Sequence, residues 1–330
     1  MLSRLRLFFD SFTVMLICVL ALGSVLPCRG EVAIALGWVT HFAVALLFFL
    51  HGAKLSREAI ITGAAHWRLH LVVFLSTFAV FPLLGYAFKP IFSTLITPAL
   101  YTGVLFLCVL PSTVQSSIAF TSIAKGNVPA AVCSASASSL IGIFITPALA
   151  SLLLASNASA GWHTVSNIVL QLLVPFAAGQ ALRPVIGAWL ERHRGILKFA
   201  DQGSILLVVY AAFSEAAIEG LWRHVSLQAL LWLLLVNSVL LAAALAITAF
   251  GSRRLGFNRA DRITIVFCGS KKSLAAGIPM AKIMFGAQAG AIVLPLMLFH
   301  QIQLIVCAWL AQRWGESESE SKVDNPSPQR

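Results

Sequence analysis

Leu110-Pro-Ser-Thr-Val-Gln-Ser-Ser-Ile-Ala-Phe-Thr-Ser-Ile-Ala-Lys-Gly-Asn127 is a polar, proline-broken stretch set between long apolar runs. It fails as a continuous lipid-facing helix. Pro111 has no backbone N–H to donate, and Ser112, Thr113, Gln115, Ser116 and Ser117 carry more donors and acceptors than lipid can satisfy. Such a segment must be sheltered by other helices or line a wet cavity. A second stretch of the same character follows about 158 residues on, Phe267-Cys-Gly-Ser-Lys-Lys-Ser-Leu-Ala-Ala-Gly-Ile-Pro279, with Ser270, Lys271, Lys272 and Ser273 at its break. Two interrupted segments in corresponding halves point to the binding site of a transporter.

The flanking sequence fixes the class. Of 330 residues, 59% are hydrophobic and 11% charged, which excludes an ordinary soluble domain and allows many membrane spans. At about 20 apolar residues per span, about ten are expected: 11 to 28, 33 to 52, 69 to 88, 98 to 124, 128 to 155, 163 to 182, 198 to 217, 225 to 250, 262 to 284 and 287 to 312. The net charge of +11 would suggest nucleic acid in a soluble protein. Here its placement says otherwise. With the N-terminus inside, most Lys and Arg fall in inner loops and tails, including Arg4, Arg57, Arg68, Lys125, Arg192, Arg253, Arg254 and Arg313. Outer loops hold only Arg29, Lys89, Arg223 and Lys282. That asymmetry places both termini in the cytoplasm; in a bacterium the membrane would be the inner one. Nucleic acid is not an expected partner; the lipid bilayer and a small molecule are. Lys271 and Lys272 alone fall outside the scheme.

Other candidates lie along the chain. His51 ends the second span and Glu215 the seventh, about 163 residues later, close to the spacing of the two breaks. Five spans in each half invert the second copy, the inverted-repeat plan of many transporters. The first half is 1 to 155 and the second 156 to 314, with a short hinge at 155 to 164 and a disordered cytoplasmic tail from 315 to 330. Ser134, Ser136, Ser138 and Ser139, in a Ser/Ala run of the fifth span, offer hydroxyls that either pack helices or face the first break, with Ser134 and Ser136 as the site candidates. His300 and Gln303 form a polar cluster in the tenth, read as a packing hydrogen bond or a substrate contact. The third span, with Phe78, Phe81, Pro82 and Tyr86, reads as plain packing surface. The six cysteines show no CxxC or metal spacing and read as small apolar residues. Asn157-Ala-Ser159 is a glycosylation sequon that matters only in a eukaryotic host.

A helix broken in mid-membrane exposes N–H groups at one half and C=O groups at the other, each end carrying roughly half a unit charge. Hydroxyl and carbonyl oxygens suit a hard cation and half-helix N-termini suit an anion. The stretch from Pro111 to Val128, the Phe48-Phe-Leu-His-Gly-Ala-Lys-Leu55 pattern and Cys268-Gly-Ser-Lys-Lys-Ser-Leu-Ala-Ala-Gly-Ile-Pro279 resemble the bile acid:sodium symporter family, in its SBF-like branch within the cation/proton antiporter superfamily. The likeness runs from about Ser11 to Trp314. It implies an all-α polytopic fold of ten helices in two inverted five-helix repeats, with helices four and nine broken and crossing, and carriage of organic anions with sodium. It places the family's helix-four sodium ligands on Ser116 and Ser117. The family's helix-nine Glu falls within Gly269 to Ser273, where no acid stands.

The expected function is therefore a secondary active transporter, a sodium-coupled symporter of a small organic anion working by alternating access. No cofactor is expected beyond sodium as the coupling ion. A proton-coupled or uncoupled carrier is the alternative, with Lys271 or Lys272, Glu215 or His51 as titrating group. A non-transporting membrane regulator or scaffold is the reading from another class. The sequence has no His-Glu-x-x-His, no Gly-x-Ser-x-Gly and no paired intramembrane aspartates, so an enzyme is not expected. The cost of a mid-membrane Lys, about 2.5 to 3.5 kcal/mol, argues that the lysine pair has a use or a partner. One lysine should face the cavity, Lys271 for preference, and the other a carbonyl end or an acid.

Overall fold

A computed structural model of the chain describes residues 11–54, 66–154 and 162–323. The Asn157 sequon and most of the expected hinge lie outside them. Helices make up nearly all of this, with no strand among the described residues. In chain order they are α1 (Ser11–Val25), α2 (Glu31–Lys54), α3 (Trp67–Ala87), α4 (Pro98–Val109), α5 (Gln115–Ile123), α6 (Val128–Leu154), α7 (Trp162–Arg192), α8 (Arg194–Ile218), α9 (Leu227–Arg254), α10 (Arg259–Gly269), α11 (Leu274–Phe285) and α12 (Ala289–Val323). Among the described residues, six helical stretches are long and apolar enough to cross a membrane: α2, α3, α6, most of α8, α9 and the run Arg259–Glu316 that holds α10, α11 and most of α12. The backbone of α12 stays helical to Val323, past the point where the sequence suggested a disordered tail. Extending a formed helix needs no new nucleus, and the Glu residues there favour it.

The fourth and ninth expected spans are each two helices, and local chemistry accounts for the ends. Pro98 sits in the first turn of α4, behind a Thr97 cap that accepts from Leu100 N–H. At the far end Leu110 turns extended (φ −72°, ψ 153°), because the residue before a proline avoids the helical region. Asn258 caps α10 by accepting from Asp261 N–H, α10 ends at Gly269, and Ser273 caps α11 by accepting from Ala276 N–H.

The helices form two groups. In one, α2 lies along α7, and α8 packs on α1 and α2. In the other, α6 and α12 flank the two broken helices: α6 touches α4, α5 and α10, while α12 touches α4, α5 and α11. The groups meet where α8 packs on α11 and α12 and where α6 packs on α7. Lipid is as apolar as leucine, so these helices associate through close packing rather than hydrophobic burial, and small residues at the contacts matter most.

The α2–α7 contact shows this. A Cβ on Gly52 would stand 2.0 Å from the Phe176 carbonyl oxygen, and one on Gly179 would stand 2.0 Å from the Phe49 carbonyl oxygen. Each glycine seats the other helix's backbone. Gly52→Ala should therefore destabilise by at least about 1 to 3 kcal/mol, the usual cost of overpacking. Gly37→Ala on the same helix, with nothing within 4 Å, should cost nothing and raise stability by up to about 1 kcal/mol, the helix-propensity gain of alanine over glycine. Thermal unfolding of the purified protein in detergent measures both.

Candidate functional site

The two breaks lie against each other. Ser273 N–H donates to the Pro111 carbonyl at 2.9 Å, joining them backbone to backbone. Around this contact each break satisfies the other's helix end. The last carbonyls of α10 receive hydroxyls from the first break: Ser112 Oγ donates to Cys268 O at 2.6 Å and Ser117 Oγ to Phe267 O at 3.0 Å. The carbonyls at the end of α4 receive side chains in turn. Thr146 Oγ1 of α6 donates to Val109 O at 2.8 Å, and Lys272 Nζ donates to Cys108 O and Leu110 O, both at 2.8 Å. Orphan carbonyls at a helix C-terminus inside a membrane have no water to turn to, so this exchange is what makes both breaks tolerable.

Lys272 has a third carbonyl, Thr77 O at 2.7 Å, supplied by α3. Its availability is a consequence of a π turn at Ser76–Val80. There Phe81 N–H bonds Ser76 O, so it does not reach Thr77 O as it would in an α-helix. The next donor along would be residue 82, which is proline and has no N–H. The third span is thus more than the packing surface expected from its sequence. The same ammonium also lies over the Phe81 ring, 4.2 Å from its centroid. The Lys272 backbone is held as firmly: its N–H donates to Gln303 Oε1 and its carbonyl accepts from Gln303 Nε2, both at 2.9 Å.

Lys271 is placed differently. Both lysines lie in the non-helical break between α10 and α11 and both are fully buried, but Lys271 makes one hydrogen bond, to Ser116 Oγ at 3.2 Å. Its ammonium otherwise rests against two rings, Phe120 at 4.2 Å and Phe267 at 5.8 Å from the centroids. That bond starts a directed chain. Ser116 Oγ donates to Thr113 Oγ1 at 2.9 Å, and Ser117 Oγ lies 3.1 Å from Thr113 Oγ1 and gives its own proton to Phe267 O. Thr113 is left as the donor to Ser117.

The structure brings Ser112, Thr113, Ser116, Ser117, Lys271, Lys272, Ser273 and Gln303 together at the crossing. Ser270 donates to Val266 O in its own helix, and His300 Nδ1 lies 2.8 Å from Gln303 Nε2, one step behind Lys272. Other candidates are elsewhere. Gln115 begins α5 with its side chain exposed. Ser134 meets His70 Nδ1 at 2.6 Å, and Ser136, about 200° round the helix from it, is half-buried without a bond to either break. It is Ser138 of that run that reaches the first break, accepting from Ser112 N–H at 3.0 Å. His51 bonds its own helix at Leu47 O, one turn before Lys54, which pairs with Asp201 of α8. Glu215 pairs with Lys282, which belongs to the last turn of α11 rather than to a loop. Thr77, Phe81, Phe120 and Thr146 join the site unforeseen, with Pro82 as the one sequence signal for the first, while Ser138 is the member of the Ser/Ala run that faces the break.

Of the two serines expected to hold sodium, Ser116 has its oxygen taken up by an ammonium, and among the described residues no carboxylate stands at the crossing to offset a second positive charge. At an effective dielectric near 20, two unit charges 4 Å apart repel by about 4 kcal/mol.

Residues 10–316 match a family described as the SBF-like CPA transporter family. The chain is 60% identical over 322 residues to "Uncharacterized protein PA2026" of Pseudomonas aeruginosa, covering 97% of each. It is 54% identical over 323 residues to "Putative symporter YfeH" of Escherichia coli, covering 96% of each. It is 32% identical over 285 residues to "Sodium/bile acid cotransporter 7" of Mus musculus, covering 85% of this chain and 82% of the relative.

Proposed function

The chain belongs to the SBF-like CPA transporter family, and from that premise we propose that it is a secondary carrier of a small organic anion, held by Lys271. It is an integral, multi-pass membrane protein of a transporter family. In this reading the spans number ten in two inverted five-helix repeats, both termini are cytoplasmic, and alternating access turns on the crossing of α4–α5 with α10–α11. The observation that supports an anion is the contrast within the lysine pair. Lys272 has three carbonyl acceptors for its three N–H groups, whereas Lys271 has one hydroxyl acceptor and the faces of two rings. An anion gains most where an ammonium is short of partners.

The carrier works without sodium in this reading, since the Ser116 oxygen faces Lys271, whose charge stands where the ion's would. Uptake into proteoliposomes tests both halves. The probes are a panel of small carboxylates and sulfonates together with taurocholate, with sodium or choline outside. At least one probe should enter faster than into protein-free vesicles, and at the same rate in either salt. No uptake of any probe would sink the carrier reading. Uptake that requires sodium would return the ion to Ser116 and Ser117.

A further inference from the structure

We propose that the Lys272 ammonium is the crossing's own monovalent cation, a charge carried on the chain in a cage that would otherwise bind one from solution. Rings of backbone carbonyls replace the hydration shell of an alkali ion in channel filters, and the same chemistry is assembled here. Thr77 O, Cys108 O and Leu110 O converge on one nitrogen at 2.7 to 2.8 Å, with the Phe81 face closing a further side.

Each carbonyl is free for a separate reason. Thr77 O lost its helical partner to the π turn and to Pro82. Cys108 O would take Ser112 N–H in a continuous helix, but that group donates to Ser138. Leu110 O lies beyond the end of α4, in the break itself. Two separate interruptions, the π turn of α3 and the first break, aim three carbonyls at one point and make a cation site, and an ammonium has as many donors as there are carbonyls.

The occupant is matched in charge as well. Among the described residues, no carboxylate pairs with Lys272, so the cage is neutral and takes a single positive charge from the partial negative ends of α4 and of the π turn. Gln303 fixes the Lys272 backbone at both its N–H and its C=O, so the tether's root cannot shift to admit an ion beside the ammonium. The two halves of the chain are therefore locked at their breaks without an ion. The inference rests on the geometry of the crossing and not on the carrier reading.

Thermal unfolding of the full-length protein in detergent tests it. Wild-type melting should be the same in sodium chloride as in choline chloride. Lys272→Ala should melt lower by roughly 10 °C or more, because three buried carbonyls lose their donor. n-Propylammonium replaces the atoms removed and should restore much of that loss, while propanol and tetramethylammonium, which lack the N–H donors, should not. Sodium raising the wild-type melting temperature would overturn the proposal, as would a Lys272→Ala protein as stable as wild type, or equal rescue by propanol. Should that variant not accumulate, the wild-type salt comparison decides the matter alone, and Lys272→Met, long but uncharged, supplies the second melting curve. Since the readout is stability, failure here would leave the carrier reading standing, and failed uptake would leave this one standing.

Discussion

Lys271→Gln should cut substrate uptake by roughly tenfold to a hundredfold while the protein melts at or above the wild-type temperature. A hydrogen bond to a charged group is worth about 1.5 to 3 kcal/mol, which is this range in binding. The stability half follows from the opposite term. Removing a charge from mid-membrane relieves about 2.5 to 3.5 kcal/mol on insertion scales, and Lys271 offsets that with one hydroxyl at 3.2 Å and two ring faces. Function lost with stability kept is the signature of a binding group. Uptake unchanged in Lys271→Gln would remove Lys271 from the site, and a fall in both quantities would make it structural.

Gln303→Leu should show the reverse, with melting lowered by roughly 5 to 20 °C. The substitution is close in volume but strips both partners from the Lys272 backbone, and each buried unpaired group costs about 1 to 3 kcal/mol. His300 loses its neighbour as well. A protein of this size shifts by a few degrees per kcal/mol, so the loss should be plain in a single melting curve. A melting temperature within a degree of wild type would show that water reaches Lys272 in place of Gln303.

Much of this was legible from residue types. Pro111 and Gly269 mark the two breaks because one lacks an N–H and the other favours a chain reversal, and the polar residues around them cannot face lipid. The lysine pair stood out because its burial needs a compensating partner. The identity of that partner was not legible. Two of its three carbonyls belong to the first break, but the third belongs to α3, where the only trace of the π turn is Pro82 in an otherwise ordinary apolar helix. The fifth span posed a different difficulty. In a run that alternates serine and alanine every face looks alike, so its sequence cannot say that Ser138, rather than Ser134 or Ser136, meets Ser112. Glu215 looked like a charge at a helix end. Its partner Lys282 counts as an outer-loop charge in the sequence although the ninth expected span, 262 to 284, contains it, and it sits in the last turn of α11, where residue type alone does not pair it with Glu215.

The reciprocal satisfaction of the two breaks also sets a clock on biogenesis. Leu110 and the lysine that serves it are 162 residues apart, and Ser112 and its Cys268 carbonyl 156 apart. At about 5 to 20 residues per second, a ribosome takes roughly 10 to 30 s to bridge that gap. Through that interval the end of α4 is already made while its donor does not yet exist. The nascent first half must therefore wait at the insertion machinery or its wet interior, where water can stand in for Lys272. Expressed alone, that half should be retained there and degraded, and co-expression of the second half as a separate chain should rescue it.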